Sequence, residues 1–352
     1  MHYLASILEN DGRNIHNVGG GEHLLPDVDA YALDTDLHDY FYHRLLAQTT
    51  AHPPLEVSEL ASHRALQHVD NSSRTITYAE LPEWAQDNEW IVGGYRRIQN
   101  NWMGCIESLF GYLHNETVNI HTHSGGAVLF LYFLATYQET KLSQYPTTWA
   151  DTLALGIFLC CAIFCLSASA IFHTSACHSE KVMGRCHGLD YSGILILIMG
   201  SQCAAIRYEF FCNPVHQAFY SILLITIGSS AAYVLLNPKY ATPAYRGTRA
   251  TLFIALGLGG IIPVTHCVIR DGWYFFIATG HYWLLISACC YISGGVLYAN
   301  RIPESLAPGK FDYFFASHQI FHVAVLAGVG AHYTCVLRGL EYSYTHLELC
   351  AA

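Results

Sequence analysis

Residues 317–337 read SHQIFHVAVLAGVGAHYTCVL, a run with no Asp, Glu, Lys or Arg that opens on two histidines four positions apart. About 20 such residues, rising 1.5 Å each in a helix, cross the hydrocarbon of a bilayer. Six further apolar stretches of similar length precede it, at about 118–138, 151–172, 189–206, 215–236, 250–269 and 277–299. Each is continuously apolar rather than alternating, so the expectation is helices and not a barrel. The fold class is therefore an all-α membrane protein, a bundle of seven transmembrane helices. Composition agrees: 52% of the 352 residues are hydrophobic and 12% charged, about half the charge of a soluble domain. That balance excludes a disordered chain, a coiled coil and a binder of nucleic acid.

Charge divides the chain. Residues 1–94 carry 15 acidic and 4 basic side chains, so the net charge of −10 belongs to the N-terminal region and the apolar body is close to neutral. Four segments follow: an acidic, His-rich cytosolic tail over 1–75, partly disordered; a juxtamembrane amphipathic segment over 76–117; the membrane domain over 118–337; and a short extracytosolic C-terminus over 338–352. The tail's eight histidines (His2, His16, His23, His38, His43, His52, His63 and His68) lack ligand spacing and read as solvated composition. TYAELPEWAQDN, residues 77–88, reads as a short amphipathic helix on the membrane surface. The N-terminus shows no basic region followed by an apolar core, hence no cleavable signal peptide. Many of the 13 cysteines lie inside apolar runs (Cys160, Cys161, Cys165, Cys203, Cys289, Cys290) and read as buried thiols.

Orientation comes from Lys and Arg in the connecting segments. Arg96, Arg97, Lys181, Arg185, Lys239, Arg246, Arg249, Arg301 and Lys310 share the side of the N-terminus, against Lys141, Arg207, Arg270 and Arg338 opposite. The N-terminus is then cytosolic, in the plasma membrane or an internal one. The sequons at Asn71 and Asn115 stay on the unglycosylated side.

Ionisable side chains inside spans are costly and mark function. His318 and His322 stack on one helical face at the start of the seventh span. His173 closes the second span and Asp190 opens the third. Even spans descend to the cytosol and odd spans rise from it, so all four residues share one depth near the cytosolic face. Three neutral imidazoles suit Zn²⁺ and leave a fourth position for water. The first histidine of the pair is followed by Gln319 and not by the Glu of HExxH proteases, so a base must come from elsewhere: Asp190. Ser169, one turn before His173, can hydrogen-bond that carboxylate or a polarised carbonyl. His121 and His123 are two apart and point in different directions. His178 and His187 read as loop residues, and His266, His281 and His332 lie at the outer ends of their spans. Cys177 with His178 is a weaker metal candidate.

The segments ELPEWAQDNEWIVGGYRR (80–97), LHNETVNIHTH (113–123), SASAIFHTSACHSEKV (167–182), LDYSGILILIMGS (189–201), YATPAYRGTRA (240–250) and YANRIPESLAPGKFDYFFASHQIFH (298–322) together resemble the adiponectin-receptor branch of the progestin and adipoQ receptor family. LHNETVNI is most similar to its fungal, haemolysin-III-related members, and Val118 stands where the animal receptors have Gly. The resemblance spans about residues 80–337. It implies seven helices, a cytosolic N-terminus and zinc held by His173, His318 and His322, with the water-holding carboxylate at Asp190 and the membrane serine at Ser169. A wider set of membrane hydrolases, alkaline ceramidases among them, shares the pattern. Three readings follow: a zinc-dependent hydrolase of a ceramide-like membrane lipid, affecting lipid and zinc homeostasis; a receptor whose extracytosolic ligand shifts the bundle; and a structural zinc tying helices together. The tail's own sequence leaves its cytosolic partner open.

The orientation is directly testable. An epitope tag at Met1 should be shielded in intact cells, and one after Ala352 should be accessible from outside or from the lumen. Glycosylation at Asn71 or Asn115 would reverse the topology.

Overall fold

The computed structural model describes residues 73–235, 237–241 and 245–350. Residues 1–72 of the acidic tail, with all eight of its histidines, lie outside the described residues. The described residues begin with a two-residue antiparallel ladder, β1 (Thr75–Ile76) against β2 (Tyr95–Arg96). Among the described residues nine α-helices follow: α1 (Trp102–Gly111), α2 (Thr117–Thr140), α3 (Trp149–Ser175), α4 (Glu180–Glu209), α5 (Pro214–Leu235), α6 (Arg246–Leu258), α7 (Ile261–Ala278), α8 (Tyr282–Asn300) and α9 (Ser317–Thr345).

Six of these segments are long and apolar enough to cross a membrane: α3, α4, α5, α6 continued by α7 over 247–278, α8 with its extension, and α9. The described residues thus make an all-helical integral membrane protein with six spans by length and composition. The first expected span, α2, has the length at 24 residues. Its opening turns carry Asn119, His121, Thr122 and His123, and that polarity lowers its hydropathy below the other six.

Where the expected helix lay over 77–88, the structure has two 3-10 turns, Tyr78–Glu80 and Glu83–Ala85, separated by Pro82. Proline at this point fixes φ and removes a donor, so the turns do not merge into an α-helix. The short helix with an exposed apolar face lies further on, at α1. His187 is inside α4 and not in a loop, because that helix starts at Glu180, nine residues before the apolar run. The last helix continues past 337 to Thr345.

The core is built around α3. Leu155, Phe158, Leu159, Ala162 and Leu166 recur at helical spacing along one face and are fully buried against Phe130 of α2 and Val329, Val336 and Leu340 of α9. Large apolar side chains on α5 and α7, Phe219, Ile222 and Ile269 among them, point outward, as lipid-facing surfaces require. At the end remote from His173, Asp151 caps α3 through Thr148, pairs with Arg207 at 3.1 Å and accepts from the Tyr344 hydroxyl at 2.5 Å. Cys212 and Cys350, 138 residues apart, form a disulfide at that end. The other described cysteines are thiols; Cys160 and Cys289 are exposed, contrary to the expectation of burial.

Helices α3 and α4 make the most extensive contact in the bundle. They approach so closely at Gly193 that a Cβ there would lie 2.9 Å from the Cα of Cys165. Backbone cannot rotate aside as a side chain can. Gly193→Val should therefore destabilise the bundle by about 1–3 kcal/mol, read as a lowered thermal midpoint of the purified protein in detergent.

Candidate metal centre

Among the described residues, one group of side chains can hold a metal ion: His173, His318 and His322, whose ligand atoms all lie within 4.8 Å of one another. His173 comes from the last turn of α3, and the other two from the first turns of α9. The α9 start is fixed from outside the helix. Glu304, fully buried, accepts the Ser317 backbone N–H at 2.7 Å and the Ser317 hydroxyl, and also the Asn88 amide at 3.2 Å. A carboxylate in this position satisfies donors that the first turn leaves orphaned. Gln319, in the place of the protease glutamate, donates to the carbonyls of Asn115 and Tyr313 and so ties the entry of α2 to α9. Its role here is structural.

The three rings are nearly equidistant, with centroids 4.9, 4.7 and 4.8 Å apart. The Nε2 atoms of His173 and His318 stand 3.2 Å apart. Two nitrogens each 2.0–2.1 Å from one tetrahedral ion would be separated by about 3.3 Å, so the spacing fits a first-row divalent metal. His173 and His322 are almost wholly buried.

What the sequence left unseen is the layer behind these rings. Glu116 Oε2 lies 2.7 Å from His173 Nδ1, and the Asn119 side-chain amide donates to the same oxygen at 2.6 Å. The Asn119 carbonyl lies 3.2 Å from His322 Nδ1. Both acceptors draw the proton of the neutral ring to Nδ1, which leaves each Nε2 lone pair directed at the metal position. His123, set aside on spacing alone, stacks on His322 at 3.7 Å with its Nε2 3.3 Å from the His322 carbonyl. His121 instead faces the surface and meets the Leu109 carbonyl. All of these outer residues come from the N-cap and the first two turns of α2. Glu116 and Asn119, three apart at the head of an otherwise apolar helix, were the available signal.

Asp190 is half-buried on α4, where its carboxylate feels both His173 and the Ser169 hydroxyl. Arg96, buried at the end of β2, donates to the carbonyls of His173 and Thr174 and to the Ser108 hydroxyl. The expected five residues therefore gather at one end of the bundle. His266, His281 and His332 do not join them, as their places in the sequence indicated.

A haemolysin-III-related sequence profile matches residues 111–333, which contain the triad, its outer layer and both Asp190 and Ser169. The chain belongs to that family, in its progestin and adipoQ receptor branch. It is 38% identical to the adiponectin receptor protein of Drosophila melanogaster over 283 residues, covering 79% of this chain and 62% of the fly protein. It is 37% identical over 261 residues to the progestin and adipoQ receptor-like protein 1 of Caenorhabditis elegans, covering 74% of this chain and 59% of that protein. The chain thus spans about six-tenths of these two relatives. With the ADIPOR-like receptor IZH2 of Saccharomyces cerevisiae it shares 35% identity over 281 residues, covering 78% of this chain and 86% of the yeast protein. In this member of the family, Glu116 is the residue whose loss isolates the outer layer from the ligands themselves. Glu116→Gln should keep the fold and weaken metal binding by about 10–100-fold, measured by competition with a chromophoric chelator.

Proposed function

We propose that the chain is a zinc-dependent hydrolase of a membrane lipid amide, of the ceramide class, with its metal held by His173, His318 and His322. The observation that carries the reading is a carboxylate, Asp190, in the electrostatic reach of His173 and Ser169 beside three converging imidazoles that themselves bring no negative charge. Zinc, when bound there, supplies Lewis acidity toward the amide carbonyl and makes water acidic enough to attack near neutral pH.

The protein's own groups do the rest. Asp190 accepts a proton from the attacking water and passes it to the amine nitrogen as the C–N bond breaks. Ser169 fixes the Asp190 carboxylate by donating to it, or donates to the carbonyl oxygen as charge develops. Glu116 and the Asn119 carbonyl hold His173 and His322 in the tautomer that ligates. A site inside the bundle suits a substrate whose acyl chain stays in lipid, and turnover would link the protein to lipid and zinc homeostasis.

The orientation belongs to the same proposal: α2 is a seventh span, the N-terminus is cytosolic and the metal lies in the cytosolic half. The Cys212–Cys350 disulfide supports this, since it sits at the opposite end, where an oxidising compartment is required. The membrane is the plasma membrane or an internal one. A second reading rests on the relatives' names, two of which contain the word receptor alongside adiponectin or ADIPOR. There the zinc is structural and an extracytosolic ligand shifts the bundle.

Two variants separate the readings. His318→Ala should lose most of about one zinc per chain, read by metal analysis. Asp190→Asn should fold, retain zinc at saturating metal and release sphingoid base from ceramide about 10²–10⁴-fold more slowly. A wild-type protein with no turnover above a chelated control would favour the receptor.

A further inference from the structure

The metal centre does not use a second pair of reactive side chains that lies just beyond it. Cys105 of α1 and Cys177, in the turn between α3 and α4, have their sulfurs 3.6 Å apart, and both side chains are buried. They come from elements 72 residues apart in sequence, brought together by main-chain bonds. The Gln99 and Asn100 N–H groups donate to the carbonyls of Cys177 and His178 at 2.8 and 2.9 Å. Arg96 joins the same assembly to the metal ligand. Its guanidinium donates to the His173 and Thr174 carbonyls and to Ser108, and the Ser108 hydroxyl donates to the Cys105 carbonyl at 2.7 Å. Cys177 lies one helical turn beyond His173. The neighbouring Cys105 thiol and the Arg96 guanidinium lower the Cys177 thiol below the usual cysteine range, which favours its thiolate.

We infer that Cys105 and Cys177 are a dithiol–disulfide site whose closure weakens metal binding at His173. An S–S bond is about 2.05 Å long, so closure draws the two sulfurs together and moves the α3–α4 turn toward α1. His173, four residues before Cys177 on the same chain segment and tied through Arg96 to Ser108 of α1, shifts relative to the two imidazoles of α9. The oxidant is a small peroxide. The Cys177 thiolate attacks one peroxide oxygen, the O–O bond breaks and the departing hydroxide takes a proton to become water. The Cys105 thiol then attacks the resulting sulfenic sulfur, and a second water leaves. Two thiols give up two electrons and two protons, and hydrogen peroxide becomes two waters. The effect on metal affinity rests on the zinc reading above; the bridge itself does not.

The test uses the full chain, reduced and then re-oxidised with hydrogen peroxide in lipid nanodiscs. Peptide mapping without reductant should recover a Cys105–Cys177 bridged pair. Zinc affinity, by chelator competition, should fall about tenfold or more in the wild type and stay unchanged in Cys105→Ser under the same peroxide. Oxidation confined to the exposed Cys160 and Cys289, with no bridged peptide, overturns the site. A bridge that forms without change in zinc affinity overturns its link to the metal. A reduced protein that binds no zinc overturns the hydrolase reading, and the bridge then stands or falls on the peptide map alone.

Discussion

The contact on which the rest depends is that between Glu116 and His173. A carboxylate taken out of water is costly unless it is paired and hydrogen-bonded. Here one oxygen meets both an imidazole and the Asn119 amide. Satisfying Glu116 in this way fixes three things together: the start of α2, the last turns of α3 and the direction of the His173 ring. The α9 histidines then need only the correct depth, which the buried Glu304 supplies by capping the helix at Ser317. Acidic side chains thus act as fasteners for a centre built from neutral ligands.

Much of this was legible in the sequence. Apolar runs located the helices, because a chain in lipid has few ways to satisfy its backbone. The i, i+4 spacing of His318 and His322, with the alternating direction of the spans, brought His173 and Asp190 to the same level. Those arguments use only periodicity and length, which are the most reliable properties of long helices. The ligand set read from them coincides with the one cluster of metal-binding geometry among the described residues.

The remainder was illegible for physical reasons. Glu116 and Asn119 sit where a loop becomes a helix, and an acidic residue there reads equally as a solvated cap. His123 was discarded by angular position, yet α2 packs so that this face meets α9. The polarity that weakens α2 as a span by composition is the same polarity that supports the metal centre, so the hydropathy deficit and the site are one feature. Pro82 turned an expected helix into two turns. The Cys212–Cys350 bond joins the ends of α4 and α9, a pairing that no local pattern announces.

Helix α9 runs without interruption for 29 residues from Ser317 to Thr345, about 40 Å, with the two imidazoles in its first turns and the disulfide just after its last. The histidine pair and the disulfide are therefore mounted at opposite ends of a single rod. Such a rod transmits axial displacement with little loss. Metal coordination tolerates only a few tenths of an ångström in ligand distance. An axial displacement at the disulfide end would reach the other end of the rod, where His318 and His322 stand against His173 of a different helix.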